Sequence, residues 1–81
     1  MNRRPEVISL LRQIVLEVTE NPLPEISSSV PIAELGIDSI SLAEIMMRIE
    51  DSLGIEVPAT EWLRVRTIEE ILNLIDRNRP T

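Results

Sequence analysis

Apolar residues recur at intervals of three and four positions in three segments of the chain, and this spacing largely decides what the chain can fold into. Such spacing places side chains on one face of a helix, whereas strands would need strict alternation, which no segment shows. The sequence therefore predicts an all-α domain with three amphipathic main helices. The three stripes are Val7, Ile8, Leu11, Ile14, Val15 and Val18; Leu42, Ile45, Met46, Ile49 and Leu53; and Ile68, Ile71, Leu72 and Ile75.

The residues that flank these stripes predict where the helices begin and end. Pro5 suits the first turn of a helix, and Pro22 stops the same helix from continuing. Gly54 predicts the C-terminal cap of the second helix. The capping-box pattern that starts at Thr67 predicts the start of a last helix, which ends near Asn78.

Two connections separate the main helices. Residues 21–38 form a long loop in which scattered apolar residues, Ile26 and Ile32 among them, predict contact with the core. After Pro58, Thr60 is predicted to cap a short turn or helix that runs to about Val65. The expected architecture is a small four-helix bundle with three main helices, one short helix and a long first loop.

The chain contains enough apolar material for one core. It is 81 residues long with 43% hydrophobic and 27% charged residues, a balance that argues against disorder and leaves no length for a second domain. We expect a single domain over residues 1–81, with its core within about 6–77. Trp62 is the one aromatic residue, so Ile, Leu, Val and Met must build this core.

Charge is distributed unevenly along the chain. The net charge is −6, and Arg48 is the only basic residue between Glu17 and Glu61. An acidic surface repels phosphate backbones and anionic lipids, so we expect neither nucleic acid nor a membrane as partner. Proteins with basic surfaces are the expected partners.

The absence of His and Cys narrows the chemistry of the chain itself. It excludes thiolate zinc sites, imidazole bases and disulfides, and no apolar run approaches the ~20 residues of a membrane span. The first residues do not resemble a signal peptide. We expect a cytoplasmic, monomeric protein that is not an enzyme and binds no metal.

Ser39 is the candidate functional residue. Local sequence favours Asp38 as the helix cap, which makes Ser39 the first helical residue, with its hydroxyl outside the bundle. A phosphate ester there would lie near the positive end of the helix dipole. The sequence supplies neither His nor Lys to activate this hydroxyl, so another enzyme would have to modify it.

The segment Gly36-Ile37-Asp38-Ser39-Ile40 resembles the Gly-x-Asp-Ser-Leu attachment motif of the acyl carrier protein family. Leu35, Glu44, the stretch 49–51, the connection 54–58 and the helix start at 67–68 also resemble that family at similar spacing. The resemblance extends from residue 6 to about residue 77.

This resemblance implies a right-handed four-helix bundle in which Ser39 carries 4′-phosphopantetheine, taken from coenzyme A by a phosphopantetheinyl transferase. Acyl intermediates of a fatty-acid, polyketide or related specialised pathway would be held on the arm as thioesters. Acyl-loading, condensing and modifying enzymes would then dock on the acidic second helix through basic patches of their own. By position, the docking residues implied are Ile40, Glu44, Met47, Glu50 and Asp51, with Asp38 as motif residue and helix cap.

Two alternatives remain open at this point. The chain is either the carrier or an acidic helical interaction module without a prosthetic group, in which case the second helix is its binding surface. An amino-acid cargo, as on peptidyl carriers, is less favoured because Gly36-Ile37-Asp38 differs from their Gly-Gly-His or Gly-Gly-Asp triplet. Ile40 replaces the common Leu of the family motif, and the sequence does not identify the cargo.

Overall fold

The helix α1 spans Arg4–Thr19 and buries most of the stripe predicted for it. The computed structural model describes residues 4–23 and 29–79. Val7, Leu11, Ile14 and Val15 are buried, while Ile8 and Val18 are half-buried at the edge of the core. None of the helices in these two ranges is long and apolar enough to cross a membrane.

Three further helices follow the long connection: α2 spans Ser39–Leu53, α3 spans Ala59–Trp62 and α4 spans Ile68–Asn78. Helix α1 packs along α2 and also contacts α4, which in turn contacts α3. The predicted arrangement of three main helices and one short one is confirmed. Residues 4–23 and 29–79 contain no strand, only an isolated antiparallel bridge between Pro31 and Thr67.

Helix ends follow the predicted capping chemistry at three of the four places, of which Asp38 at the start of α2 is described below. Gly54 adopts φ 65°, in the left-handed region that favours glycine, and its N–H donates to the Glu50 carbonyl to end α2. Thr67 and Glu70 form both hydrogen bonds of the capping box that opens α4.

The prediction that Thr60 caps the short helix is wrong. Pro58 precedes α3 at the cap position and makes no side-chain hydrogen bond, so Thr60 lies inside the helix. Proline favours a helix start because its φ is already near the helical value. The helix also ends at Trp62 rather than near Val65, and Trp62 packs against the core half-buried.

The described parts of the long loop are pinned to the helices, as predicted. The Arg12 side chain donates to the Leu23 carbonyl at 2.8 Å, and Leu23 is itself buried. Towards its end the loop forms a 3₁₀ helix over Ile32–Leu35, which the sequence pattern did not indicate. The Ile32 N–H donates to the Arg66 carbonyl at 2.7 Å, which attaches this 3₁₀ helix to the connection before α4. The predicted core contact of Ile26 lies outside the described residues.

Candidate functional site

A tight backbone turn at Gly36 connects the 3₁₀ helix to the start of α2. Gly36 has φ 80° and its N–H donates to the carbonyls of the 3₁₀ helix. The next residue, Ile37, is buried and its N–H donates to the Ile32 carbonyl at 3.2 Å. Because only glycine enters this left-handed conformation without strain, Gly36 can end the 3₁₀ helix and leave Ile37 as an anchor in the core. The residues after Ile37 are thereby held at the surface.

Asp38 is the N-cap of α2, as the sequence predicts. Its backbone is extended, its Oδ1 accepts the Ser41 N–H at 2.7 Å, and its carbonyl accepts the Leu42 N–H at 2.8 Å. The hydrogen bonds from the backbone and side chain of Ser41 lower the pKa of Asp38 below its ordinary value. The carboxylate therefore stays charged at the positive end of the helix, where a negative charge is stabilising.

Ser39 is the first residue of α2 and lies exposed at the surface. Its hydroxyl makes no hydrogen bond to any residue in the described ranges, and the neighbouring Ser41 N–H donates to Asp38 instead. An exposed serine hydroxyl at a helix N-terminus can accept a phosphoryl group without unfolding the chain. The free N–H groups of the first turn also favour the negative charge that such a group adds.

An open cleft of about 320 Å³ lies beside Ser39. Most of its wall is apolar and comes from the 3₁₀ helix, the first turn of α2 and the segment after α3. Leu63 and Arg66, on that last segment, were not predicted as site residues. No local pattern marks them, since only the packing of the α3–α4 connection against the 3₁₀ helix brings them to Ser39. The lining residues are Pro31, Ile32, Ala33, Ile37, Asp38, Ser39, Leu42, Leu63, Val65 and Arg66.

Four of the five predicted docking residues lie along one outer face of α2. Ile40, Glu44, Met47 and Asp51 follow one another at spacings of four, three and four residues, which places them within about 60° of each other around the helix. Ile40 is 81% exposed and Met47 66% exposed, although both are large apolar residues. The outer face therefore combines two exposed apolar side chains with two exposed carboxylates, a composition that suits contact with another protein.

Glu50, the fifth predicted docking residue, differs from the other four. It lies on the side of α2 and is half-buried, and its Oε2 accepts the Val57 N–H at 2.7 Å. This hydrogen bond fixes the connection between α2 and α3 while Val57 itself is buried in the core. Glu50 thus stabilises the fold locally, and its contact with partners remains a prediction.

Replacing Glu50 with Ala should lower the free energy of unfolding by about 1–2 kcal/mol, because the Val57 N–H loses a charged acceptor. The matched control is Glu44→Ala, an exposed glutamate on the same helix, for which we expect a change within about 0.5 kcal/mol. Urea unfolding followed by circular dichroism measures both. Equal effects of the two substitutions would show that the Glu50–Val57 hydrogen bond contributes no stability.

Arg48, the one base within the acidic stretch, connects two helices. Its Nη1 lies 3.2 Å from Oε1 of Glu17 on α1, and both side chains are about half exposed. An exposed ion pair of this kind contributes little stability. The Arg48 charge is used to neutralise Glu17 on α1. Arg48 therefore does not neutralise the acids on the outer face of α2.

Comparison with known proteins identifies the family. The model of the phosphopantetheine attachment site matches residues 9–75, which is most of the chain. The chain belongs to the acyl carrier protein family. An acyl carrier protein of Rickettsia bellii is 34% identical over 68 residues, which cover 83% of this chain and 84% of the relative.

Two further matches concern the fold and the range of the family. The crystal structure of an acyl carrier protein from Thermotoga maritima superposes with a TM-score of 0.83 at 21% identity and covers 93% of this chain and 88% of that one, which confirms the fold. A non-reducing polyketide synthase of Elsinoe fawcettii is 29% identical over 69 residues, which are 85% of this chain but 3% of the synthase. Members of this family are carriers, and the group they carry is phosphopantetheine.

Proposed function

We propose that Ser39 is the residue of this acyl carrier protein to which 4′-phosphopantetheine is attached. The observation that supports this most directly is the exposed, unbonded hydroxyl of Ser39 at the first turn of α2, directly after the capping Asp38. The group fits this site because the hydroxyl is accessible and the helix N-terminus favours a phosphodiester. When bound, the arm supplies a terminal thiol that holds an acyl group as a thioester.

Attachment is a phosphoryl transfer in which the Ser39 oxygen is the nucleophile. Its Oγ forms a bond to the phosphorus next to pantetheine in coenzyme A, and the bond from that phosphorus to the bridging oxygen breaks. Adenosine 3′,5′-bisphosphate leaves with the electron pair, and the hydroxyl proton passes to a base of the transferase. The chain supplies no His or Lys as that base, so the transferase must bring it.

The chain itself would act as a carrier rather than as an enzyme. Its residues present the attachment point and a docking face, and the catalytic groups belong to the partners. We propose a phosphopantetheinyl transferase and acyl-loading, condensing and modifying enzymes as those partners. These partners would bind to the outer face of α2. Ile40 and Met47 would make apolar contacts there, and Glu44 and Asp51 would pair with basic side chains of the partner. Glu50 would add charge from the side.

The proposal also covers the domain organisation and the setting of the protein. Residues 1–81 form one carrier domain that works as a cytoplasmic monomer. It binds neither nucleic acid nor membranes, because a net charge of −6 repels phosphate groups. The cargo is an acyl intermediate of fatty-acid, polyketide or related metabolism.

The direct test is to incubate the wild-type chain with coenzyme A and a phosphopantetheinyl transferase. Intact-mass spectrometry should show the addition of one phosphopantetheine, and fragmentation should place it on Ser39. A transferase that modifies another carrier protein in the same reaction tube serves as the positive control. A chain that stays unmodified there would instead be an acidic interaction module that binds through the outer face of α2.

Docking to the transferase should weaken as ionic strength rises, because the partners attract each other through exposed charges that salt screens over about 10 Å at 0.1 M. Neutralising one docking acid, as in Glu44→Gln or Asp51→Asn, should raise the Kd by about two- to five-fold at low salt. Glu6→Gln on α1 removes the same charge from another helix and should leave the Kd unchanged. Isothermal titration calorimetry at two salt concentrations measures this. Binding that does not depend on salt would show that these acids do not belong to the docking surface.

A further inference from the structure

The cleft beside Ser39 has walls of opposite charge. Asp38 lies on the same wall as Ser39, at the start of α2, and Arg66 lies on the wall formed by the segment after α3. The surfaces between them are mostly apolar, and Leu63 is left 52% exposed at the site. Among the residues of 4–23 and 29–79 that line the cleft, Arg66 is the one cationic residue.

The Arg66 side chain has no acidic partner within the parts of the chain that the structure describes. Its Nη1 makes only long hydrogen bonds to the carbonyls of Val65 and Leu63, at 3.3 and 3.5 Å. The nearby Glu70 uses its Oε1 to accept the backbone N–H groups of Arg66 and Thr67, at 2.6 and 3.1 Å. The carboxylate that would most naturally neutralise Arg66 is thus occupied by the capping box of α4.

Asp38 does not neutralise Arg66 either. Its carboxylate accepts the Ser41 N–H on the α2 wall, which faces the wall that carries Arg66. No ion pair joins Asp38 to Arg66 among the described contacts. An anion on the Ser39 arm therefore finds in Arg66 a cationic side chain of the cleft lining that no carboxylate neutralises. This uncompensated charge attracts the anion towards Arg66.

We propose that Arg66 binds an anionic group carried by the Ser39 arm, either the phosphodiester that links the arm to the protein or a carboxylate on its cargo. The proposal rests on Ser39 being the attachment residue. Arg66 is a positioning residue in this role, because it holds the arm along the cleft through that anion. The Ile32 N–H and the Glu70 carboxylate both bond to the backbone of Arg66, so a side-chain substitution leaves those contacts intact.

The test compares the arginine side-chain Nε–H signals in NMR spectra of four forms of the protein: unmodified, arm-bearing, acetyl-loaded and malonyl-loaded. Arg66→Gln assigns the Arg66 signal. Arg64→Gln is the matched control, because Arg64 is an exposed arginine two residues away that does not line the cleft. Mass spectrometry confirms the state of each sample.

The pattern of shifts identifies the source of the anion. If the phosphodiester is bound, the Arg66 signal moves when the arm is added, and Arg66→Gln moves the phosphorus resonance while Arg64→Gln does not. If the cargo carboxylate is bound, the Arg66 signal moves only in the malonyl-loaded form. In that case Arg66→Gln should raise the pKa of the malonyl carboxylate by about 0.5 unit, because it removes a nearby opposite charge.

An Arg66 signal that is the same in all four forms would overturn the proposal, as would equal responses of Arg64 and Arg66. These results remain separate from a failure of the proposed function. A chain to which no arm can be added overturns both proposals, whereas an arm on Ser39 with an unresponsive Arg66 overturns this one alone.

Discussion

Ser39→Ala should abolish attachment of phosphopantetheine completely, while leaving the fold as stable as that of the wild type. The hydroxyl oxygen is the atom that forms the new bond to phosphorus, and no neighbouring group can take its place at that position. The loss of the hydroxyl should cost the fold little, because it is exposed and makes no hydrogen bond within the described ranges. A change in the free energy of unfolding within about 0.5 kcal/mol is the expectation for such a surface position.

The matched control for this substitution is Ser52→Ala, which removes an exposed serine hydroxyl near the other end of the same helix. It should be modified at the wild-type rate and to the same mass. Transferase reactions on all three proteins, followed by intact-mass spectrometry, measure the outcome. An arm that still appears on Ser39→Ala would show that another residue accepts it and would refute the assignment of Ser39.

Leu74→Ala should destabilise the fold far more than either glutamate substitution on α2. Leu74 is fully buried in α4 among Ile71, Ile75 and the facing side chains of the core. Truncating it removes apolar contacts and leaves a cavity, which costs about 2–5 kcal/mol. Domains of this kind are stable by roughly 5–15 kcal/mol in total, so a large part of the folded-state stability would be lost.

Leu16→Ala provides the comparison, because Leu16 is 47% exposed on α1. We expect it to lower the free energy of unfolding by about 1 kcal/mol or less, since much of that side chain already contacts water. Urea titrations of the two variants at the same temperature measure the difference. Equal costs would mean that the interior of α4 relaxes to fill the space, or that Leu74 is less tightly packed than its burial indicates.

Leu74 also illustrates where sequence pattern alone was insufficient. The predicted stripe of the last helix comprised Ile68, Ile71, Leu72 and Ile75, and all four are buried. Leu74 was left out of it, yet it is fully buried. A single amphipathic stripe describes a helix that packs on one neighbour, whereas α4 contacts both α1 and α3 and buries a wider face. The width of a buried face depends on the number of neighbours, which local periodicity does not reveal.

Glu50 shows the same limit on α2. Its charge and position resemble those of Glu44 and Asp51 in the sequence, and all three were predicted to face partners. The structure gives Glu50 a hydrogen bond to the Val57 backbone and leaves it half-buried. An i to i+7 contact across a helix end depends on how the chain turns after Gly54, so the Glu50–Val57 hydrogen bond could not be predicted from the sequence, although helical spacing alone already separates Glu50 from the face shared by Glu44 and Asp51.

The sequence by itself determined the features that depend on neighbouring residues. The three main helices, the Asp38 cap, the Gly54 cap, the capping box at Thr67 and the exposed position of Ser39 all follow from short-range hydrogen bonding and helical periodicity. The family resemblance was also visible in a short motif and its spacing.

Tertiary structure alone decided the features that join distant segments. The cleft beside Ser39 and the placement of Arg66 arise because the Ile32 N–H bonds to the Arg66 carbonyl and Pro31 pairs with Thr67, which attaches the 3₁₀ helix to the connection before α4. Contacts between residues so far apart in the chain leave no periodic signal, because they depend on how whole helices pack. The motif and its resemblance to the family therefore sufficed to propose Ser39 as the attachment residue, while the cleft beside it could not be predicted from the sequence.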